Sequence, residues 1–300
     1  MQTFYSNGKL LITGEYLVLD GAKALALPTN VGQSLIVEPI DTAVIEWTSI
    51  DDQGQKWFDC IIPINELETL SFDDEISNRL VQILSKAKQL NPNFLSKAEG
   101  YAIATLLDFP IDWGLGTSST LISNIAQWAE VDPYQLLSLT FGGSGYDIAC
   151  AQNDFPITYE LINGSPTTQQ VAFNPEFKNK LYFVHLNQKQ NSRTGIKAYR
   201  DANKTTASEI QALNQITEQL ISTQNFDTFK SLLKSHEDLI AMMTNQTPIQ
   251  NALFNDFNGQ IKSLGAWGGD FVLVASERNP TPYFQSKGYL TIIAYQDLIL

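Results

Sequence analysis

The stretch PIDWGLGTSSTLIS, residues 110–123, places two glycines and four consecutive hydroxyl side chains immediately before an apolar run. GYAIATLLDF (100–109), ahead of it, carries the branched and apolar pattern of a strand, and LISNIAQWAEV (121–131), behind it, has the spacing of a helix. A strand, a glycine turn and a helix start make a ready anion site. The first amides of a helix lack intrahelical acceptors and point outward, and glycine lets the backbone approach a ligand with φ positive. No lysine follows the glycines, so the turn is not a Walker A loop. A plain glycine turn with a hydroxyl N-cap fits the same residues, so the rest of the chain must decide between the two.

Composition narrows the ligand. The chain has 300 residues, 43% of them hydrophobic, enough for one large core or two moderate ones. With 32 Asp and Glu against 19 Lys and Arg, its net charge of -13 disfavours nucleic acid and anionic membrane surfaces as partners. A small anion would have to be met by backbone amides or a local group of cations. Cys60 and Cys150 are far apart in apolar surroundings, which suggests buried thiols in a reducing compartment. The N-terminus has no leader pattern and no window approaches the ~18 apolar residues of a membrane span, so a cytoplasmic protein is expected.

Along the chain, strands are expected at 9–19, 33–40, 43–50, 56–64, 156–162, 180–186, 272–276 and 290–296, with a hairpin turn at Asp51–Gln55. Helical periodicity runs through 75–90, with Ile76, Leu80, Ile83 and Leu84 on one side, and Asp132-Pro133 reads as an N-cap followed by proline at the first helical position. The second half is expected to be mostly helical, through SRTGIKAYRDA, ASEIQALNQITEQLI, FDTFKSLLKSHEDLIAMM and PIQNALFNDFNGQIKSL. A domain boundary is expected at the loop Asn163-Gly164-Ser165-Pro166, giving domains 1–165 and 166–300.

Two further segments bear on the turn. NGKLLITGEY (7–16) enters a strand on Lys9 and places Glu15 six residues later, and SGYDIACA (144–151) sets Asp147 just after a glycine turn. Alone, Lys9 would be a surface lysine and Asp147 a helix cap. In this order, together with LGAWGGDF (264–271), the segments resemble the GHMP kinases, the family of galactokinase, homoserine kinase, mevalonate kinase and phosphomevalonate kinase. The resemblance covers nearly the whole chain. NGKLLITGEYLVL is similar to the family's opening motif, and Pro110 with Gly114-Leu115-Gly116-Thr117-Ser118-Ser119 to its phosphate loop, P-x-x-x-G-L-G-S-S-A. SGYDIACA is similar to the segment that holds the catalytic aspartate, and LGAWGGDF occupies the place of the third motif, T-G-A-G-G-G-G. A bacterial subgroup characterised by the GYDIA sequence itself is the nearest match.

The resemblance implies an α+β, two-domain fold, an N-domain like ribosomal protein S5 domain 2 with a left-handed crossover and a ferredoxin-like C-domain. It implies ATP-dependent phosphoryl transfer with Mg²⁺ to a small anionic metabolite, and it admits a homodimer without specifying one. Backbone amides of Gly114, Leu115, Gly116, Thr117, Ser118 and Ser119 would cradle the phosphates, and Ser118 would ligate Mg²⁺. Asp147 would take or orient the acceptor's proton, with Lys9 keeping that carboxylate ionised. Glu15, Ser144, Gly265, Ala266, Gly268 and Gly269 would line the acceptor. Residues 177–200 hold six cations and no acid, and Arg193 and Lys197 are the expected clamp for a carboxylate or phosphate, a solvated basic face being the other reading.

The chain departs from the family mildly at Thr117 and Ser119, which replace Ser and Ala, and more sharply at three further points. Trp267 stands where the family has glycine and would shape the acceptor pocket or obstruct phosphate; Asp270 adds an acid; and Leu136 occupies the place of a glutamate that mevalonate kinases use for Mg²⁺. The last point tilts the acceptor toward phosphomevalonate. A non-catalytic GHMP-fold binder and a diphosphomevalonate decarboxylase stay open as alternatives. His236-Glu237 is expected at a helix surface.

Overall fold

The computed structural model describes residues 1–96, 99–188, 192–202, 205–267 and 269–300, without the side chains of residues 192 and 193. These fall into two compact units, one of Met1–Gly8, Val31–Ile111 and Leu115–Gln152, the other of Lys9–Asn30, Asp112–Gly114 and Asn153–Leu300. Strands β1 (Gln2–Thr13) and β2 (Ala24–Ile40) contribute residues to both.

In the first unit, β3 (Val44–Ile50) and β4 (Lys56–Pro63) form the expected hairpin. The Asp51 side chain accepts from the amides of Gln53 and Gln55, and Gly54 takes φ 74°. β3 runs parallel to β5 (Gly100–Leu107), and β5 pairs antiparallel with Gln33–Ile40 of β2. Helix α1 (Glu75–Leu90) starts on Asp74, whose carboxylate accepts from the Ser77 amide. It buries Leu80, Val81, Ile83, Leu84 and Ala87 against the sheet's Leu35, Val37, Ile45 and Trp47. Ile76, in the first turn, is instead 51% exposed.

Helices α2 (Thr117–Ala129), α3 (Pro133–Ser138) and α4 (Tyr146–Ala151) complete this unit. Asp132 caps α3 as the sequence suggests, accepting from Tyr134 and Gln135 amides. α2 starts four residues before the apolar run, so its first turn is made of the hydroxyl residues. Buried Asn124 locks it in place, accepting from Ser6 Oγ at 2.8 Å and donating to Gln33 O at 2.8 Å.

In the second unit, Ala24–Ala26 of β2 pair with β6 (Ile157–Ile162), which turns into β7 (Ser165–Gln170). Asn163 and Gly164, read from sequence as a loop, are the two-residue turn of this hairpin, with φ 51° and 77°. Both central residues at positive φ are what an Asn-Gly hairpin turn requires.

The second sheet holds β8 (Leu181–His185), β9 (Gln260–Ser263), β10 (Phe271–Ala275) and β11 (Ile292–Ala294), all antiparallel, in the order β11-β8-β10-β9. Strand, helices, strand, strand, helix, strand in this order is the ferredoxin-like arrangement. Its helices are α5 (Ser192–Ala202), α6 (Ala207–Ser222), α7 (Phe226–Thr244), α8 (Ile249–Leu253), α9 (Thr281–Ser286) and α10 (Tyr295–Leu298).

Three expectations for this unit need correction. Residues 248–264 are not one helix: α8 stops at Leu253, and Gln260–Ser263 is a strand paired with β10. Asn258-Gly259 is the break that helical spacing hid. β1 ends at Thr13, and Leu17–Asp20 is a 3₁₀ turn whose apolar residues are buried without being extended. The final strand is only Ile292–Ala294 before α10 begins. Among the described residues no helix is long and apolar enough to cross a membrane, and both cysteines are buried and outside any disulfide.

Candidate active site

The site begins at the start of α2. Gly116, its N-cap, takes the left-handed conformation (φ 96°, ψ 33°) and offers no side chain to cap the helix. The Ser119 and Thr120 amides bond back to Gly116 O. The Thr117 and Ser118 amides have no acceptor within the helix, so both face outward from its positive end. Thr120 is turned inward, its hydroxyl on Gln33 Oε1 at 2.7 Å, whereas Ser118 is exposed. Leu115 is fully buried, so only its backbone is available to a ligand. Gly114 has φ 67°, and a Cβ there would sit 2.5 Å from the Asp270 carboxyl. Outward amides and an exposed hydroxyl behind a left-handed glycine cap make a turn that can receive an anion.

The same unit carries Asp147. Gly145 caps α4 in the left-handed conformation (φ 88°, ψ 0°), and Asp147 sits half-buried in the first turn. Ile148, Ala149, Cys150 and Ala151 are buried, and α4 packs on α2, so the aspartate and the glycine-capped turn ride on neighbouring helices. Ser144 is half-buried just ahead of them. In the second unit, Lys9 is half-buried on β1 and its Nζ donates to Gly114 O at 3.0 Å. The lysine thereby fastens the turn's first glycine.

Glu15 departs from its expected place at the acceptor. It is 1% exposed, ion-paired with buried Lys262, and its Oε2 lies 3.2 Å from His236 Nε2. No solvent-borne molecule can touch it. Lys262 Nζ also donates to Ser263 O at 2.7 Å. Glu237 is buried beside it and accepts from Ser263 N, Ser263 Oγ and Ile249 N. His236 and Glu237, expected at the surface, are thus core residues tying α7 to β9 and to the loop after β1. His236 Nε2 accepts from the Gly14 amide at 3.1 Å, which makes the imidazole neutral. Burial, aided by the Lys262 charge, holds His236 well below the usual histidine range.

Burial also pushes the Glu15 carboxyl up to about 7, outweighing the attraction of Lys262. In the folded chain this group holds a proton that the unfolded chain, at about 4.5, has released. Its contribution to stability is therefore complete below about 4.5 and is lost as the pH rises to about 7. Across that window, the unfolding free energy of the wild type should fall by about 3 kcal/mol relative to Glu15→Gln. The His236 contribution runs the opposite way and is common to both proteins. Urea unfolding at several pH values checks this; a constant difference would contradict it.

The third glycine turn is split by the structure. Gly265 (φ 63°) and Ala266 are half-buried, Gly269 is buried, and Gly268 lies outside the described residues. Trp267 is 6% exposed. It is buried among Tyr16, Leu17, Tyr199, Leu213, Ile240 and Met243, since its large apolar ring gains more in that core than beside a charged ligand. Asp270, with φ 52°, takes a backbone conformation that glycine adopts more easily. Trp113 packs edge-on to Phe271 at 5.5 Å.

Among the described side chains of the basic run 177–200, three cations pair with three different acids. Lys180 pairs with Glu277 at 2.7 Å, Lys197 is exposed and pairs with Asp201 at 2.5 Å, and Arg200 pairs with Asp20. Exposed pairs of this kind contribute ~0–1 kcal/mol each and leave the cations open to exchange partners. Lys189 and the Arg193 side chain lie outside the described residues. Among the described residues no three His, Cys, Asp or Glu side chains gather as a metal cage.

No family model and no curated protein matches the sequence. Solved structures do match. The chain is similar to mevalonate kinase of Methanococcus jannaschii (TM-score 0.71, 14% identity, covering 96% of this chain and 94% of that one). It is similar to galactokinase of Lactococcus lactis complexed with galactose (0.72, 13%, 98% and 93%). It is also similar to phosphomevalonate kinase of Streptococcus pneumoniae in complex with phosphomevalonate and AMPPNP (0.69, 14%, 100% and 98%). The fold is that of the GHMP kinases, α+β, along essentially the full length of those structures.

Proposed function

We propose that this chain is a cytoplasmic, ATP-dependent kinase of small metabolites that phosphorylates mevalonate or phosphomevalonate in isoprenoid biosynthesis. The observation that carries this reading is the start of α2: a left-handed glycine cap, two outward amides and an exposed serine. Residues 114–119 fit a triphosphate, with Ser118 as a ligand for Mg²⁺. When bound, Mg²⁺ neutralises charge on the phosphate oxygens. Phosphoryl transfer then asks the protein for alignment and charge balance. Asp147 accepts or orients the acceptor's proton, Lys9 offsets charge at the transferred group, and Arg193 and Lys197 hold the acceptor's anionic end.

Sugar kinases share this fold, so the acceptor rests on the sequence. The position of the glutamate that mevalonate kinases use is Leu136, which is fully buried in the first unit's core. That favours phosphomevalonate. The rival reading, a GHMP-fold binder without turnover, draws on Trp267 and on the missing glutamate; the first of these is a core residue.

The nucleotide half of this proposal is tested at Gly114. Alanine there would place a Cβ 2.5 Å from the Asp270 carboxyl at φ 67°, and it should weaken ATP binding by at least about tenfold, or about 1.4 kcal/mol. Titration with a fluorescent ATP analogue measures it, and unchanged affinity would remove the cradle from the account. The acceptor half is tested by ADP release over mevalonate, phosphomevalonate, homoserine and simple sugars.

A further inference from the structure

Tyr16 is the most constrained side chain near the first motif. Its backbone sits at φ 61°, ψ -48°, a region disfavoured for an aromatic residue, and its side chain is buried. Such a conformation persists only where the surroundings over-determine it. Three contacts do so. The Trp267 amide donates to Tyr16 Oη at 3.2 Å, tying the phenol to the third glycine turn. The ring stacks on Tyr199 of α5, centroids 5.7 Å apart and planes 23° from parallel. Gly195, one helical turn earlier in α5, leaves the space that the hydroxyl fills: a Cβ there would lie 2.6 Å from Oη, 3.0 Å from Cε1 and 3.2 Å from Cζ.

The same short loop grips α5 a second time. Asp20 accepts from Tyr199 Oη at 2.5 Å and pairs with Arg200. Glycine inside a helix is unfavourable relative to alanine. Its presence at 195 is explained by the phenol, which occupies the volume where any side chain would be. One tyrosine therefore sets the spacing between helix α5 and the 265–267 turn.

We propose that Tyr16 is a positioning residue that fixes the register of α5, and with it the acceptor-binding residues assigned to that helix, Arg193 and Lys197. The proposal rests on the kinase reading for its functional consequence and on the Tyr16–Gly195–Trp267 contacts for its mechanics. It separates two roles within the first motif: Lys9 serves the transferred phosphate, whereas Tyr16, seven residues on, serves the acceptor.

The test is a steric rescue. Gly195→Ala should raise the KM for the acceptor by at least about tenfold while the KM for ATP and kcat stay close to wild type. Tyr16→Phe should give a smaller rise, because the ring stack survives and only the Trp267 bond is lost. In the double variant the closest contact, to the hydroxyl, is gone while the methyl still meets Cε1 at 3.0 Å and Cζ at 3.2 Å, so the acceptor KM should fall well below that of Gly195→Ala without fully reaching that of Tyr16→Phe. Hydrogen exchange of peptides covering 192–202 and 265–267 should quicken in Gly195→Ala and recover in the double variant. A double variant no better than Gly195→Ala, or α5 exchange unchanged in Gly195→Ala, overturns the proposal. So does faster exchange with an unchanged acceptor KM. A wild-type protein that turns over no acceptor ends the kinase reading and with it the proposed role for the acceptor, whereas intact turnover with no rescue ends the Tyr16 proposal alone.

Discussion

Asp147→Asn should lower kcat by about 10²–10⁴-fold, the range for losing a general acid or base, and leave ATP affinity nearly unchanged. The amide keeps the shape of the carboxylate in the first turn of α4 but cannot take a proton. The size of the loss also reports on the acceptor. A hydroxyl must give up its proton as it attacks, so the full range applies. A phosphate oxygen is already anionic, and the loss should then fall toward the lower bound. Steady-state kinetics on a folded, ATP-binding variant measures it, and full activity would remove Asp147 from the mechanism.

Glu15→Ala should destabilise the fold by about 3–5 kcal/mol, the cost of leaving one member of a buried ion pair alone. Lys262 is fully buried, and its ammonium would keep only Ser263 O and the more distant field of Glu237. Charge-free water cannot reach it without opening the packing of β9 against α7. Urea unfolding at pH 7 checks the value, and a change below about 1 kcal/mol would show that the pair is not what holds this part of the second unit. Glu15→Gln, which keeps the shape and can still accept from Lys262, should cost less.

Where an element's own residues determine it, the sequence was legible. Helices α1, α6 and α7 follow their apolar spacing, Asp132 and Asp74 cap as side chains of that type should, and the Asp51–Gln55 turn closes as expected. The glycine turn that starts α2 was legible for the same reason: glycine and hydroxyl density is local information. What was hidden depends on partners distant in sequence. The 260–263 strand exists because β10 pairs with it, and no residue within it announces that. Glu15, expected at the acceptor, meets Lys262 only because the fold brings the two together across 247 positions. One signal was available and missed. His236 continues the series Phe229, Leu233, His236, Ile240, spaced as one helical face, and the other three are fully buried. Its polarity suggested solvent, while its position specified the core. Trp267 shows the converse: its glycine-rich neighbours suggested a ligand, and its ring specified packing.

The central claim is that the 114–119 turn and Asp147 serve transfer of a phosphoryl group to a small acceptor. Incubating the wild type and Asp147→Asn with ATP, Mg²⁺ and each of mevalonate, phosphomevalonate, homoserine and simple sugars, and detecting phosphorylated product by mass spectrometry, tests it most directly. The account predicts a phosphorylated product with mevalonate or phosphomevalonate in the wild type and a greatly reduced yield in the variant. Tight ATP binding with no phosphorylated product from any acceptor would contradict it.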